Sequence, residues 1–330
     1  MLVKRFTKSI YYELYVIGEF HMRKIVVVGS LNMDMVFRIP AVPKRGETVM
    51  GNGFFMNAGG KGANQAVACA RQGAIVRMVG SVGSDVFGDE LVAELKQSGV
   101  SVDHLRRIPG TPTGTALILI TGNDNRIVVA AGANGETSCG QIDLALADAN
   151  PDDVYLTQME IPYETMKYGL AAAKAKGMYT ILNPAPARHL DGDVLNHVDL
   201  IIPNETEAEH ITGIPIGNPR FAKECITRLI GEGVREVIIT LGPDGCAYGN
   251  RTAVRFVPAY PVKVVDTTAA GDTFVGSIAV AIASGASVQD ALPLANAAAA
   301  LTISRLGAQC SIPDTPEIEA FLHRMEEIGR

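Results

Sequence analysis

The run Val264-Val-Asp-Thr-Thr-Ala-Ala-Gly-Asp-Thr-Phe274 ends a strand-like stretch, passes through small residues and enters an apolar helix at an aspartate. Small residues let a ligand approach the backbone, and the free N–H groups of a first helical turn face any anion placed there. That arrangement suits a transferring phosphoryl group, whose charge those amides would stabilise. Asp272 could then accept the proton of an attacking hydroxyl, since a loose phosphoryl-transfer transition state asks mainly for positioning. A helix-capping aspartate would read the same way in sequence.

Four other polar clusters stand beside strand-like runs. Asn57-Ala-Gly-Gly-Lys-Gly-Ala-Asn-Gln65 puts glycines at a helix start without the spacing or final Ser/Thr of a Walker A loop. Its exposed backbone at Gly59, Gly60 and Gly62, with the Asn64 amide, suits sugar hydroxyls; a glycine turn with a solvated Lys61 is the alternative. Gly29-Ser-Leu-Asn-Met-Asp34 lacks the dinucleotide fingerprint but offers Asn32 and Asp34 at a sheet's carboxyl edge, where ligands of open α/β sheets bind. Pro203-Asn-Glu-Thr-Glu-Ala-Glu209 carries carboxylates into a helix, which dipole placement alone explains; the sharper reading gives Asn204 and Glu207 to hydrated Mg²⁺ and phosphate. Thr240-Leu-Gly-Pro-Asp-Gly245 closes a strand in a glycine turn open enough for a nucleotide.

The elements that must hold these clusters alternate. Short β-branched runs at Lys24–Gly29, Ile75–Val79, Val154–Thr157, Tyr179–Leu182, Leu200–Ile202 and Val237–Thr240 predict strands of a parallel, doubly wound sheet. Helical patterns fill the gaps, at Gly60–Gln72, Phe87–Gln97 and Tyr163–Lys176, the last two closed by glycine. A strand over Val262–Val265 and apolar helices over Ala270–Ala283 and Val288–Arg305 follow. Met35–Asn57 and Gly114–Ala131 break the rhythm and predict antiparallel strands of a small lid, the second pair flanking a turn at Gly122–Asn125.

The chain has 330 residues, 47% hydrophobic and 19% charged, enough for one α/β domain with a small insertion. A formal charge of −6 with scattered Lys and Arg disfavours nucleic acid, and no apolar run is long enough to span a bilayer. Five cysteines without a C-x-x-C pair suit reduced thiols and a cytoplasmic protein. Residues 1–21 resemble no signal peptide; with Met22 just ahead of the first strand, they are expected to be a disordered extension or the product of an upstream start, leaving 22–330 as the domain.

Gly59-Gly-Lys-Gly-Ala-Asn64, Asn183-Pro-Ala-Pro-Ala-Arg188, Pro203-Asn-Glu-Thr-Glu207 and Asp266-Thr-Thr-Ala-Ala-Gly-Asp272 together resemble the ribokinase family of carbohydrate kinases, in that family's order and over about residues 22 to 325. The resemblance implies a ribokinase-like fold with Asp272 as base and Ala269, Ala270, Gly271 and Asp272 as anion hole. It implies a sugar site of Asn32, Asp34, Gly60, Lys61, Gly62, Ala63, Asn64, Glu160 and Asp272. For ATP it implies Asn204, Thr240, Leu241, Gly242, Pro243, Asp244, Gly245, Gly271, Asp272 and Asn296, with Glu207 serving Mg²⁺ through water. A potassium ion is implied at Asp266, Thr268, Thr302, Arg305, Gly307 and Ser311, mostly through backbone oxygens, as is a homodimer joined through the lid. Where that family often begins its anion-hole motif with Gly, this chain has Ala269.

The expected reaction is phosphorylation of D-ribose at its 5-hydroxyl by MgATP, because the N-x-D spacing of Asn32 and Asp34 suits vicinal ring hydroxyls. The same chemistry on 2-deoxyribose, fructose, a nucleoside or pseudouridine is the nearest alternative. A non-catalytic sugar-binding regulator would keep the fold without turnover. A dehydrogenase is disfavoured by the missing glycine fingerprint.

Overall fold

The computed structural model describes residues 23–122, 124–216 and 219–328, so the expected extension at 1–21, Met22 and Asn123 of the predicted turn lie outside the described residues. The first strand, β1 (Ile25–Val28), consists of four buried β-branched residues and lies third from one edge of a nine-stranded sheet. It pairs in parallel with β4 (Val76–Gly83) on one side and β8 (Val154–Thr157) on the other. Beyond β8 follow β9 (Tyr179–Leu182), β10 (Leu200–Ile201) and β11 (Glu236–Thr240), all parallel. Five of the six predicted sheet strands therefore have nearly the predicted bounds, and β4 runs on to Gly83.

Both faces of the sheet are covered, which is why its strands read as continuous apolar runs. Ile25 and Val27 point into one core with α1 (Lys61–Arg71), α2 (Val86–Gln97), α8 (Ala270–Ala283) and α9 (Val288–Ile303). Val26 and Val28 point into the other, with α3 (Cys139–Ala145), α4 (Tyr163–Ala175), α5 (Gly192–Leu195), α6 (Glu205–Thr212) and α7 (Pro219–Gly231). The last helix, α10 (Thr315–Ile328), packs on α9, where the rings of Tyr260 and Phe321 meet edge to face at 5.5 Å. No helix among the described residues is long and apolar enough to cross a membrane.

Three strands have no counterpart in the predicted set, and one predicted strand is absent. β5 (Ser101–Ile108) and β13 (Val254–Val257) are the two edge strands of the large sheet, and β12 (Cys246–Asn250) lies just inside β13. Edge strands are half solvated and carry polar residues, so they lack the apolar run that marks a central strand. Val262–Val265 is no strand: the amides of Val265 and Asp266 both donate to the carbonyl of Ile303, at 2.8 and 3.2 Å, tying this segment to the end of α9.

A second, four-stranded sheet stands apart, in the order β3 (Gly53–Gly59), β2 (Asn32–Arg38), β6 (Gly114–Thr121) and β7 (Asp124–Ala130). Its two outer pairings are antiparallel, as the sequence predicts, and the central pairing of β2 with β6 is parallel. The inner face presents Asp34, Val36, Phe55, Ile118 and Ile120 to a cavity of about 380 Å³, closed opposite by Val265, Asp266, Thr268 and Leu306. By the register, Met35, Phe37, Phe54, Met56, Leu117 and Val128 share the outer face. Phe54, Met56, Leu117 and Val128 are exposed there.

Candidate active site

The sheet reverses its winding at β1, between β4 and β8, and the crevice at the carboxyl ends of such strands is where α/β sheets bind ligands. Residues just beyond those ends supply the polar cluster: Ser30 after β1, Gln158 and Glu160 after β8, Asn183 after β9, and Asn204 after β10. The small sheet adds Asn32 and Asp34 from above, and the start of α1 adds Lys61 and Asn64.

Asp272 lies in the first turn of α8 and is 8% exposed. Asn64 Nδ2 donates to its Oδ2 at 2.9 Å and Gln65 Nε2 to its Oδ1 at 3.0 Å. The helix begins abruptly because Ala269, its N-cap, is left-handed at φ 61°, ψ 5°. The Ala270 amide donates to Thr267 O at 3.3 Å and that of Thr273 to Ala269 O at 2.8 Å. Between them, the amides of Gly271 and Asp272 make no hydrogen bond among the described residues, which leaves them as free N–H donors at this helix end.

Glu160 gathers several of the residues expected to hold the sugar. Its Oε2 accepts from Ser30 Oγ at 2.5 Å, the Lys61 amide at 3.4 Å and Asn32 Nδ2 at 3.5 Å. Asn134, which the sequence reading did not single out, donates to Asn32 Oδ1 at 2.8 Å and to Leu31 O at 3.0 Å, fixing the entry into β2. The glycines fit the helix tightly against that entry. Gly60 has φ 90°, and a Cβ there would come within 2.7 Å of the Asn32 amide; at Gly59 a Cβ would come 2.2 Å from Asp34 Oδ2. The amides of Gly62 and Ala63 turn inward, to Ser30 Oγ at 3.5 Å and Ser30 O at 2.9 Å. Asn64 Oδ1 is buried with no partner among the described residues.

Four carboxylates surround one ammonium. Burial, reinforced by Glu160 and Asp272 and opposed by Lys61, pushes Asp34 up to about 7. Burial works against the charge on Lys61, but Asp272, Glu160, Glu207 and Asp34 outweigh it and hold the ammonium above its ordinary range. Burial also raises Glu207, with the Asn204 amide and Lys61 pulling the other way. An excess of negative charge in a crevice disfavours a bare anion and favours a polyol, whose hydroxyls donate to carboxylates.

The remaining residues expected to hold the nucleotide lie at or just beyond the ends of the next strands, β10 and β11, and on α9. Asn204 caps α6 in a reciprocal capping box with Glu207, both bonds being 2.8 Å, and forms a bridge with Thr240. Glu207 Oε2 is spent in that box, while no hydrogen bond among the described residues uses its Oε1. The turn after β11 is braced by Leu241 N to Gly245 O at 2.8 Å, leaving Gly242, Pro243 and Asp244 exposed. Asn296 on α9 donates to Pro258 O at 3.1 Å, which ties it to the segment abutting Gly245.

Of the six positions expected to hold potassium, three meet directly. Asp266 Oδ1 accepts from the Thr268 amide at 2.9 Å and Thr268 Oγ1 at 2.6 Å, and its Oδ2 accepts from the Gly307 amide at 3.0 Å. Thr302 turns its hydroxyl to Thr273 Oγ1 and Ala298 O, Ser311 turns its own to Ala308 O, and Arg305 reaches out to Glu317, so any contribution from these three falls to their backbone carbonyls. No group of three or more His, Cys, Asp or Glu able to hold a metal occurs among the described residues.

Ser30, Gln65, Gln158 and Asn183 were given no role in the sequence reading, although all are drawn into the cluster. One signal was present: Asn64 and Gln65 together interrupt the small apolar run Ala63 to Cys69, where an amide has no structural reason to be unless it is bonded.

The profile of the pfkB family carbohydrate kinases matches residues 22–315. A ribokinase of Bacillus subtilis (strain 168) is 40% identical over 301 residues, covering 91% of this chain and 100% of the relative. Among solved structures, ribokinase from Thermotoga maritima superposes with a TM-score of 0.82 at 35% identity, over 91% of this chain and 99% of its own. Arabidopsis thaliana ribokinase complexed with ribose and ATP also gives 0.82, at 32% identity over 91% and 98%.

Proposed function

This chain belongs to the pfkB family of carbohydrate kinases, and from that premise we propose that it transfers the γ-phosphoryl group of ATP to the 5-hydroxyl of D-ribose, giving D-ribose 5-phosphate and ADP. The observation that carries the reading is the buried Asp272 carboxylate beside two unspent amides at the start of α8, in the crevice at the sheet's carboxyl edge.

Asp272 takes the proton of the 5-hydroxyl as that oxygen attacks the γ-phosphorus, and the bridging oxygen leaves with ADP. The amides of Gly271 and Asp272 face the equatorial oxygens, where charge gathers. Asp34, Asn32, Lys61 and Glu160 hold the ring hydroxyls, and Asn64 Oδ1, buried without a partner, accepts from one of them. The small sheet covers the sugar and keeps water from competing with it. ATP lies along Asn204, Thr240 and the 241–245 turn, reaching α8 with its phosphates.

Mg²⁺ and a monovalent cation fit the donors present. Glu207 Oε1 gives one uncommitted carboxylate oxygen, in keeping with an ion that travels on ATP phosphates with its own water. Asp266 and carbonyls near the end of α9 form an all-oxygen set suited to potassium, which when bound would steady the 266–272 segment and its amides. A lid-to-lid homodimer would bury the exposed Phe54, Met56, Leu117 and Val128. A reducing, cytoplasmic setting draws support from the five free cysteines, three of them buried.

The test is a panel of D-ribose, 2-deoxyribose, fructose, nucleosides and pseudouridine, with ADP release coupled to detection and potassium present or absent. D-Ribose should give the highest kcat/KM, and a large preference for a nucleoside would sink the ribose assignment.

A further inference from the structure

Behind Asp272 stands a chain of three amides whose directions are fixed by a backbone atom. The Ile202 carbonyl can only accept, so Asn183 turns Nδ2 to it, at 2.8 Å, and its own Oδ1 to Gln65. Gln65 Nε2 donates there at 3.0 Å, and its second hydrogen goes to Asp272 Oδ1, also at 3.0 Å. From the far side Gln158 Nε2 donates to Gln65 Oε1 at 2.7 Å. Reversing Gln65 would set its oxygen against the Asp272 carboxylate and the Asn183 oxygen while turning its NH₂ toward that of Gln158. Gln65 and Gln158 are both 0% exposed, so neither can exchange its partner for water. The chain joins α1, the loops after β8, β9 and β10, and the first turn of α8.

Resting on the reading of Asp272 as base, we propose that Gln65 is a positioning residue for the phosphoryl transfer. Its amide, oriented by Gln158 and Asn183, fixes the carboxylate so that the lone pairs not used by amides face the sugar hydroxyl. Gln65 touches neither sugar nor nucleotide in this role, so its loss lowers kcat and leaves ribose binding in place.

The experiment compares Gln65→Leu, the near-isosteric Gln65→Glu, Gln158→Met, the Gln65→Leu/Gln158→Met pair and Asp272→Asn, all in the full chain. Thermal melting checks folding, calorimetry gives the ribose Kd, and steady-state assays give kcat. Losing one hydrogen bond to a charged group predicts a fall in kcat of about 10- to 100-fold in either Gln65 variant. The ribose Kd should stay within about threefold of wild type, the mark of an interaction that acts in the transition state. Gln158→Met should lower kcat too, and the double variant should be no slower than Gln65→Leu alone, because the second change acts through the first. A folded Gln65→Glu with wild-type turnover, a ribose Kd that weakens in step with kcat, or additive Gln65 and Gln158 effects would overturn the positioning role and leave the base in place. Turnover retained by Asp272→Asn would overturn the base itself, and the positioning role with it.

Discussion

Gly59→Ala isolates the grip of Asp34 on the sugar. The alanine Cβ would stand 2.2 Å from Asp34 Oδ2, 2.5 Å from Cγ and 2.8 Å from Oδ1, so the carboxylate must yield. Gly59 is not among the glycines with positive φ, so alanine strains no torsion there. An ordinary carbon–oxygen contact needs about 1 Å more room than the variant leaves, and a displacement of that size near reacting groups can cost on the order of 100-fold. Hydrogen bonds to a charged group contribute about 1.5 to 3 kcal/mol each, so losing one or two weakens ribose by roughly 10- to 10⁴-fold. Overpacking costs about 1 to 3 kcal/mol of stability, partly offset by the stiffer unfolded chain, so the variant should still fold. Calorimetric titration with ribose and steady-state assays would read the result: a large rise in KM for ribose, with KM for ATP nearly unchanged. A folded Gly59→Ala with wild-type affinity for ribose would refute the placement of sugar hydroxyls on Asp34.

Other predictions follow from the same geometry. Because the folded protein holds Asp34 protonated up to about pH 7 while the unfolded chain releases that proton near pH 4, stability of the ligand-free protein should fall as pH rises through that window. Asp34→Asn should flatten that fall, by an amount on the order of 4 kcal/mol at most; melting curves across the window that are parallel for the two proteins would contradict it. Ala269→Gly relieves a left-handed alanine at about 1 kcal/mol but loosens the unfolded chain by a similar amount, so melting temperature and turnover should barely change. Ala269→Val, β-branched at that torsion, should cost about 1 to 3 kcal/mol and lower kcat, and unaltered turnover would argue against the Gly271 and Asp272 amides as phosphate donors. Phe54→Glu combined with Leu117→Glu charges the outer face of the small sheet and should give a monomer by sedimentation; a wild-type protein that is itself monomeric would dismiss the lid-to-lid dimer.

How much of this was legible in the sequence depended on range. The central strands announced themselves because burial on both faces demands unbroken β-branched runs, as at Ile25–Val28 and at residues 237–240 of β11. The start of α8 was visible as small residues running into an apolar stretch. Strands β5 and β13 escaped because an edge needs only one covered face, and Ser101–Ile108 accordingly mixes polar with apolar residues, while the buried Cys-Ala-Tyr-Gly of β12 holds no β-branched residue to mark it. Val262–Val265 looked like a strand locally, yet its end bonds to Ile303, a partner no window of neighbours contains. The sugar and nucleotide positions came from resemblance to a family. The amide chain could not be read at all, since Gln65 finds Gln158, Asn183 and Asp272 at separations of 93, 118 and 207 residues.

That last separation has a consequence for synthesis. Asn64 and Gln65 leave the ribosome long before α8 exists, and until Asp272 is made the amide hydrogens they give to it have no carboxylate to meet. Contacts this distant close late and slowly compared with local ones. A growing chain can therefore assemble β1, α1 and much of the sheet, while the group that would act on ATP arrives with its last quarter. Half-made protein has no means of wasting nucleotide.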